Sequence, residues 1–284
     1  VIKSANYEDI TLTVNVSAKN KLSPILAGTL TLTPIKITYG EPLSKIKITG
    51  TMKAGDAVVE GTFSWQLPGD TILDASTSGH DVGWTFTPKD GNTYTEVTGT
   101  VKVPVAPKSI EGAAITLEKY EFQYNAAEQS PRITGVTLED WSETRITYDI
   151  KSGDKATDAN DSIPLTIEGT GNYTGTAMVE WKITPKTVTP TIEVEPCTYT
   201  GDALGPAVTL KDGDAVIPAG EYTAAYSNNT NAGVGQVTIT NNDGGNYVIQ
   251  GSTQDFTIDK VRAPAAEVGS LTITNGLHKT YSFD

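Results

Sequence analysis

An asparagine-tyrosine pair that returns at near-regular intervals constrains this chain more than any other feature. It appears as Asn6-Tyr7, Asn92-Thr93-Tyr94, Gly171-Asn172-Tyr173 and Gly245-Asn246-Tyr247, roughly every 75–90 residues. Behind each copy comes a short run in which apolar and polar residues alternate, and behind each run a lysine. The runs are residues 11–16, 100–105, 178–183 and 255–258, and the lysines are Lys19, Lys108, Lys186 and Lys260. Two independent markers with one period predict tandem units. The expected division is a tail strand of a preceding unit in 1–19, three units in 20–108, 109–186 and 187–260, and the start of a further unit in 261–284. On this reading the chain is a fragment, with a secretion signal and an anchor lying outside it.

A second tyrosine opens each unit near its first turn: Tyr39, Tyr124, Tyr199 and Tyr281. Pro131 and Pro206 follow the middle two at the same distance. Tyr94, Tyr173, Tyr247, Tyr124 and Tyr199 are therefore the residues expected to define the repeat structurally. The first three are expected to be equivalent and mostly buried, as packed rings beside a turn.

Strict alternation is the mark of a sheet with one buried and one wet face. Val179, Trp181 and Ile183 alternate with Glu180, Lys182 and Thr184, and Val101, Val103 and Val105 with Lys102 and Pro104. Pro104 predicts an edge strand, where a missing N–H is harmless. Turn residues that tolerate positive φ separate the runs, as in Lys89-Asp90-Gly91-Asn92, Lys211-Asp212-Gly213-Asp214 and Asp243-Gly244-Gly245-Asn246. The predicted fold class is all-β: small antiparallel β-sandwich units, Ig-like or β-grasp-like, joined by linkers of a few residues into an extended rod.

Composition bears on partners. The formal net charge is −13, with 34 Asp and Glu against 21 Lys and Arg. Such a surface repels nucleic acid and anionic membrane faces alike. No apolar run approaches the ~20 residues of a membrane span. With one cysteine, Cys197, no intramolecular disulfide forms.

The candidate chemical groups are few. Nucleophilic catalysis needs a base beside the nucleophile, and the only histidines are His80, read as part of a polar turn, and His278. Cys197 reads as a small buried hydrophobe. Asp154, Asp158, Asn160 and Asp161 in one loop, and Asp212 with Asp214 in another, carry the oxygen ligands that calcium prefers, without EF-hand spacing. Of Trp65, Trp84, Trp141 and Trp181, Trp181 reads as core. Trp141, flanked by polar residues, is the candidate sugar-stacking platform. The sequons at Asn15, Asn160, Asn172 and Asn228 matter only in a eukaryotic secretory host. No catalytic, metal or cofactor site is expected, and the chain is expected to be non-enzymatic and monomeric.

The second and third units resemble a repeat common in surface proteins of Gram-positive gut bacteria. The third carries Tyr199-Thr200-Gly201, Pro218-Ala219-Gly220-Glu221-Tyr222, Asn231-Ala232-Gly233 after Tyr226-Ser227-Asn228-Asn229, and Gly245-Asn246-Tyr247. The second keeps Gly171-Asn172-Tyr173, with Asp158-Ala159-Asn160 at the turn. The first resembles the related MBG-type repeat through Thr38-Tyr39-Gly40, Gly61-Thr62-Phe63-Ser64-Trp65 and Phe86-Thr87-Pro88. The resemblance implies an extracellular, cell-wall location and a non-catalytic spacer or stalk of an adhesin-like protein, contacting mainly its neighbouring repeats. The alternative is a module that binds a carbohydrate or another host-surface ligand.

Overall fold

The computed structural model describes residues 2–3, 5–13, 20–139, 141 and 145–263. These fold as strands and turns with two single 3-10 turns, Leu43–Lys45 and Ala219–Glu221. The protein is all-β, and no helix among the described residues is long and apolar enough to cross a membrane.

One strand order is used three times. The first four-stranded sheet runs Ile37–Thr38, Val97–Ala106, Ser76–Pro88, Gly61–Trp65. The second runs Glu121–Gln123, Thr176–Thr184, Asn160–Gly169, Tyr148–Ser152, and the third Cys197–Thr198, Thr253–Asp259, Gly233–Asn241, Tyr222–Ser227. In each, a short opening strand lies parallel to the closing strand, with Ile37 opposite Val105, Phe122 opposite Ile183 and Cys197 opposite Ile258. The far hairpins are antiparallel. The sheets are thus mixed and not purely antiparallel as expected. Parallel neighbours need a long crossover, and everything between the opening and closing strands supplies it. Each sheet curls into a half-barrel.

Alternation sets the faces. Trp181 and Ile183 are buried while Glu180 is exposed, and Leu165 and Ile167 are fully buried in the neighbouring strand. Each such aliphatic side chain contributes about 1.5–3 kcal/mol by leaving water. Pro104 departs from expectation, because Val97–Ala106 is an inner strand. The partner strand bulges there, its register jumping between Ser76 and His80. The bulge removes the ladder position at which a proline N–H would be missed. His80 is likewise in a strand and not in a turn.

A second parallel pairing also recurs. Lys108–Ser109 lies beside Tyr173–Thr174, Lys186–Val188 beside Tyr247–Ile249, and Leu22 makes a parallel bridge to Tyr94. Lys108 and Lys186, expected as the last residues of their units, each begin a strand of this pairing. The expected tail strand is reduced to one bridge between Ile2 and Ile10, with Thr11–Thr13 outside any strand. Residues 14–19, and with them the rest of that strand, lie outside the described residues. So do the expected strand at 271–274, Tyr281 and His278.

The chain divides into two compact units. One takes in the described residues up to Tyr120, with Gln129–Ala156 and Ser162–Trp181. The other takes in Glu121–Glu128, Thr157–Asp161 and the described residues from Lys182 onward. The first unit holds two buried clusters, one around Ile37, Leu43, Val82 and Val103, the other around Met52, Val59, Trp84 and Phe86. In the second unit, Val188, Leu210, Ile217, Val237, Ile239 and Ile249 form the core.

Candidate functional site

The asparagine-tyrosine motif makes one structure three times at the backbone and twice with its side chains. The carbonyl just before the tyrosine accepts from the residue that begins the facing strand. Leu22 donates to Thr93 at 2.9 Å, Lys108 to Asn172 at 2.9 Å and Lys186 to Asn246 at 2.9 Å. This fixes the motif as a turn held by a parallel bridge.

In the first unit, the Asn172 side chain reaches back to the residues just ahead of strand Ser76–Pro88. Its Oδ1 accepts from the Ala75 amide at 2.7 Å, and its Nδ2 donates to Asp74 at 2.9 Å. The Tyr173 ring, buried to 4 % exposure, packs edge-on against Tyr39, with centroids 5.6 Å apart. In the second unit, Asn246 does the same just ahead of strand Asn160–Gly169. Its Oδ1 accepts from the Ala159 amide at 2.6 Å and its Nδ2 donates to Asp158 at 3.2 Å. Tyr247 packs edge-on against Tyr124 at 5.3 Å. Edge-to-face pairs at this distance contribute about 0.5–1.5 kcal/mol beyond their area.

Tyr39 and Tyr124 are placed by one device. The amide of each donates to the end of the closing strand, at Ala106 and Thr184, at 2.8 and 2.9 Å. Each clasp therefore joins the opening tyrosine and a dipeptide of one sheet to the asparagine-tyrosine turn that precedes the closing strand of the next. The motif tyrosines are equivalent in pairing but not in burial: Tyr173 is buried, while Tyr94 and Tyr247 are half-buried. Of the opening tyrosines, Tyr124 is buried and Tyr199 exposed. The Asn6-Tyr7 copy is exposed too.

The two clasps have different surroundings. In the first, Trp141 lies against Tyr39 at 5.9 Å and its Nε1 donates to the Tyr173 hydroxyl at 3.2 Å. The Lys108 ammonium sits 4.2 Å from the centre of the indole. A Cβ at residue 40 would fall 1.7 Å from Cη2 of that ring, so the indole fits because residue 40 is glycine. Trp141, expected as an exposed platform, is half-buried and occupied by these contacts. In the second clasp, the buried Glu221 carboxylate accepts from the Asn246 amide at 2.6 Å and from its Nδ2 at 3.1 Å. Lys186 there pairs with Asp212, and the carboxylate partner holds the ammonium above its usual range.

The remaining candidates are scattered. His80 Nε2 lies 2.8 Å from the Asp74 carbonyl. Cys197 is half-buried in its edge strand, with Sγ 3.6 Å from the Thr257 carbonyl. Trp65 donates to the Ile46 carbonyl, Trp84 packs on Phe63, and Trp181 is core, donating to the Gly153 carbonyl. In the acidic loop, Asp158 serves the clasp, Asp154 is half-buried, and Asn160 and Asp161 are exposed. Asp214 is exposed. Among the described residues no three His, Cys, Asp or Glu come together as a metal site would require.

No protein-family model matches the chain, and no curated protein is similar to it.

Two measurements test the clasp directly. Asn172→Ala removes both side-chain bonds and leaves the Ala75 amide unpaired, at an expected cost of about 1–2 kcal/mol. A urea titration giving no loss would mean that the contact contributes nothing in solution. The second test is pH. The Tyr124 hydroxyl is held above its ordinary value of 10.0, by burial first and then by Tyr247, Glu221 and Asp158. The folded state keeps that proton after the unfolded state has begun to lose it. Stability from this group is therefore complete below pH 10.0 and falls as pH rises through the raised value. Urea midpoints below and above pH 10.0 should drop on the alkaline side, and less so in Tyr124→Phe.

Proposed function

We propose that the chain is a non-catalytic spacer built of tandem β-repeats, part of the stalk of a bacterial cell-surface, adhesin-like protein. The observation that carries this reading is the clasp, in which the most regular sequence motif is spent on joining successive sheets. A motif kept for ligand binding would present its asparagine and tyrosine to solvent. Here Asn172 and Asn246 have their donors and acceptors used internally, and both rings are packed. Joints with directional bonds resist bending, which suits a part that holds another domain at a distance. The units on this reading are 20–108, 109–186 and 187–260, and the setting is extracellular.

Small-angle scattering tests it. A compact chain of this length would have a radius of gyration of ~19 Å, whereas a line of three repeats should exceed that by half or more. A value near the compact figure would rule out the spacer. The alternative, a glycan-binding module, needs an open aromatic face, and Trp141 is engaged by Tyr39, Tyr173 and Lys108. Binding on a glycan array that Trp141→Ala abolishes would favour that alternative.

A further inference from the structure

We propose that Tyr199, Asn231 and Ala232 form a clasp acceptor left open, a docking surface for the glycine-asparagine-tyrosine turn of a further repeat of this kind. The inference rests on the tandem-repeat reading and extends it to a specific interface.

Three equivalences carry it. First, the Tyr199 amide donates to the end of its closing strand, at Asp259, at 2.9 Å, as Tyr39 does to Ala106 and Tyr124 to Thr184. Second, Asn231-Ala232 stands immediately ahead of strand Gly233–Asn241. Asp74-Ala75 and Asp158-Ala159 stand in the same place ahead of Ser76–Pro88 and Asn160–Gly169. Asn231 keeps a side-chain oxygen where the other two offer a carboxylate, so it can still accept from an incoming amide. Third, what is occupied in the first two is open in the third. Tyr199 is 39 % exposed, where Tyr124 is 9 %. The Ala232 amide has no hydrogen-bond partner among the described residues, whereas those of Ala75 and Ala159 each bond an asparagine. A shallow polar depression lined by Asn228, Asn229, Thr230 and Val234 surrounds Asn231 and Ala232. The occupant is defined by the two filled examples: an asparagine amide for the alanine N–H and the asparagine oxygen, and a tyrosine edge for the exposed ring.

The test is amide hydrogen exchange on a chain in which residues 187–260 are duplicated in place, so that a second copy follows the first. The Ala232 amide of the first copy should gain at least 10-fold in protection, approaching Ala75 and Ala159. Changing the new copy's counterpart of Asn246 to alanine should remove the gain. Unchanged exchange at Ala232 beside a folded second copy would overturn the proposal. Deleting residues 187–260 tests the same equivalence without requiring a new copy to fold: Ala159 should lose protection at least 10-fold, and retention would overturn it. If Ala75 and Ala159 are themselves unprotected in the unaltered chain, the clasp and the spacer reading fail together. If they are protected and Ala232 never becomes so, only the open acceptor fails. Protection of Ala232 that grows with concentration of the unaltered chain would assign the surface to a second copy and overturn the proposal as stated.

Discussion

Tyr173→Ala should destabilise the first clasp and its sheet by about 3 kcal/mol, as expected for truncation of a large buried aromatic side chain. The ring is 4 % exposed and touches Tyr39 edge-on, while its hydroxyl accepts from Trp141. Alanine removes the packing, leaves a cavity and strands the indole N–H. Tyr173→Phe keeps the ring and removes the hydroxyl that accepts from Trp141, so about 1 kcal/mol is expected. Tyr247→Ala should cost less than Tyr173→Ala, because that ring is half-buried, and Tyr199→Ala should fall within about 0.5 kcal/mol, as at most exposed positions. Urea unfolding followed by tryptophan fluorescence is a suitable measure for the first two variants. All four tryptophans precede residue 187, two of them in the second sheet's part of the chain. A loss under about 1 kcal/mol for Tyr173→Ala would make the motif a surface feature and return weight to ligand binding.

What could be read without coordinates divides along a physical line. Alternation is local, so the strands containing Val103, Trp181 and Val237 were legible from neighbours two residues away. The period of the asparagine-tyrosine motif was legible because it needs only counting. Its task was not, because the partners are remote: Asn172 meets Asp74 across 98 residues and Asn246 meets Asp158 across 88. No window of sequence holds both ends of such a bond. The nearest available signal was that Asp74-Ala75 and Asp158-Ala159 are the same dipeptide at the same place before a long strand. Pro104 misled for a related reason, since what makes it tolerable in an inner strand is a bulge in the neighbouring one. Trp141 misled because polar neighbours in sequence say little about a ring whose contacts are Tyr39, Lys108 and Tyr173. The parallel opening strands were missed because short pairs such as Ile37–Thr38 and Cys197–Thr198 are too brief to show a pattern.

Gly153→Ala should cost about 3 kcal/mol, a large effect for the addition of one methyl group. Two causes add. Gly153 has φ of +75°, a conformation that costs an L-residue about 1–2 kcal/mol. A Cβ there would also lie 2.0 Å from the Pro164 carbonyl oxygen and 2.9 Å from the Leu165 Cα. Those are backbone atoms of an inner strand whose Leu165 side chain is fully buried, so they have little freedom to move aside. Overpacking of this kind costs about 1–3 kcal/mol. The register of the adjoining hairpin shifts between Ile150 and Ser152, which brings residue 153 this close. The carbonyl of Gly153 also accepts from the Trp181 indole at 2.7 Å. Displacing the loop would therefore break the indole hydrogen bond of a tryptophan that is 2 % exposed. The variant should show both a lower urea midpoint and a red-shifted tryptophan emission before unfolding, as Trp181 loses its bond and meets water. If the midpoint falls while the emission stays unchanged, the loop has kept its bond to Trp181 and the cost is backbone strain alone. A loss under about 1 kcal/mol would mean that the close approach to Pro164 relaxes freely, and that this glycine is not what holds the loop against the inner strand.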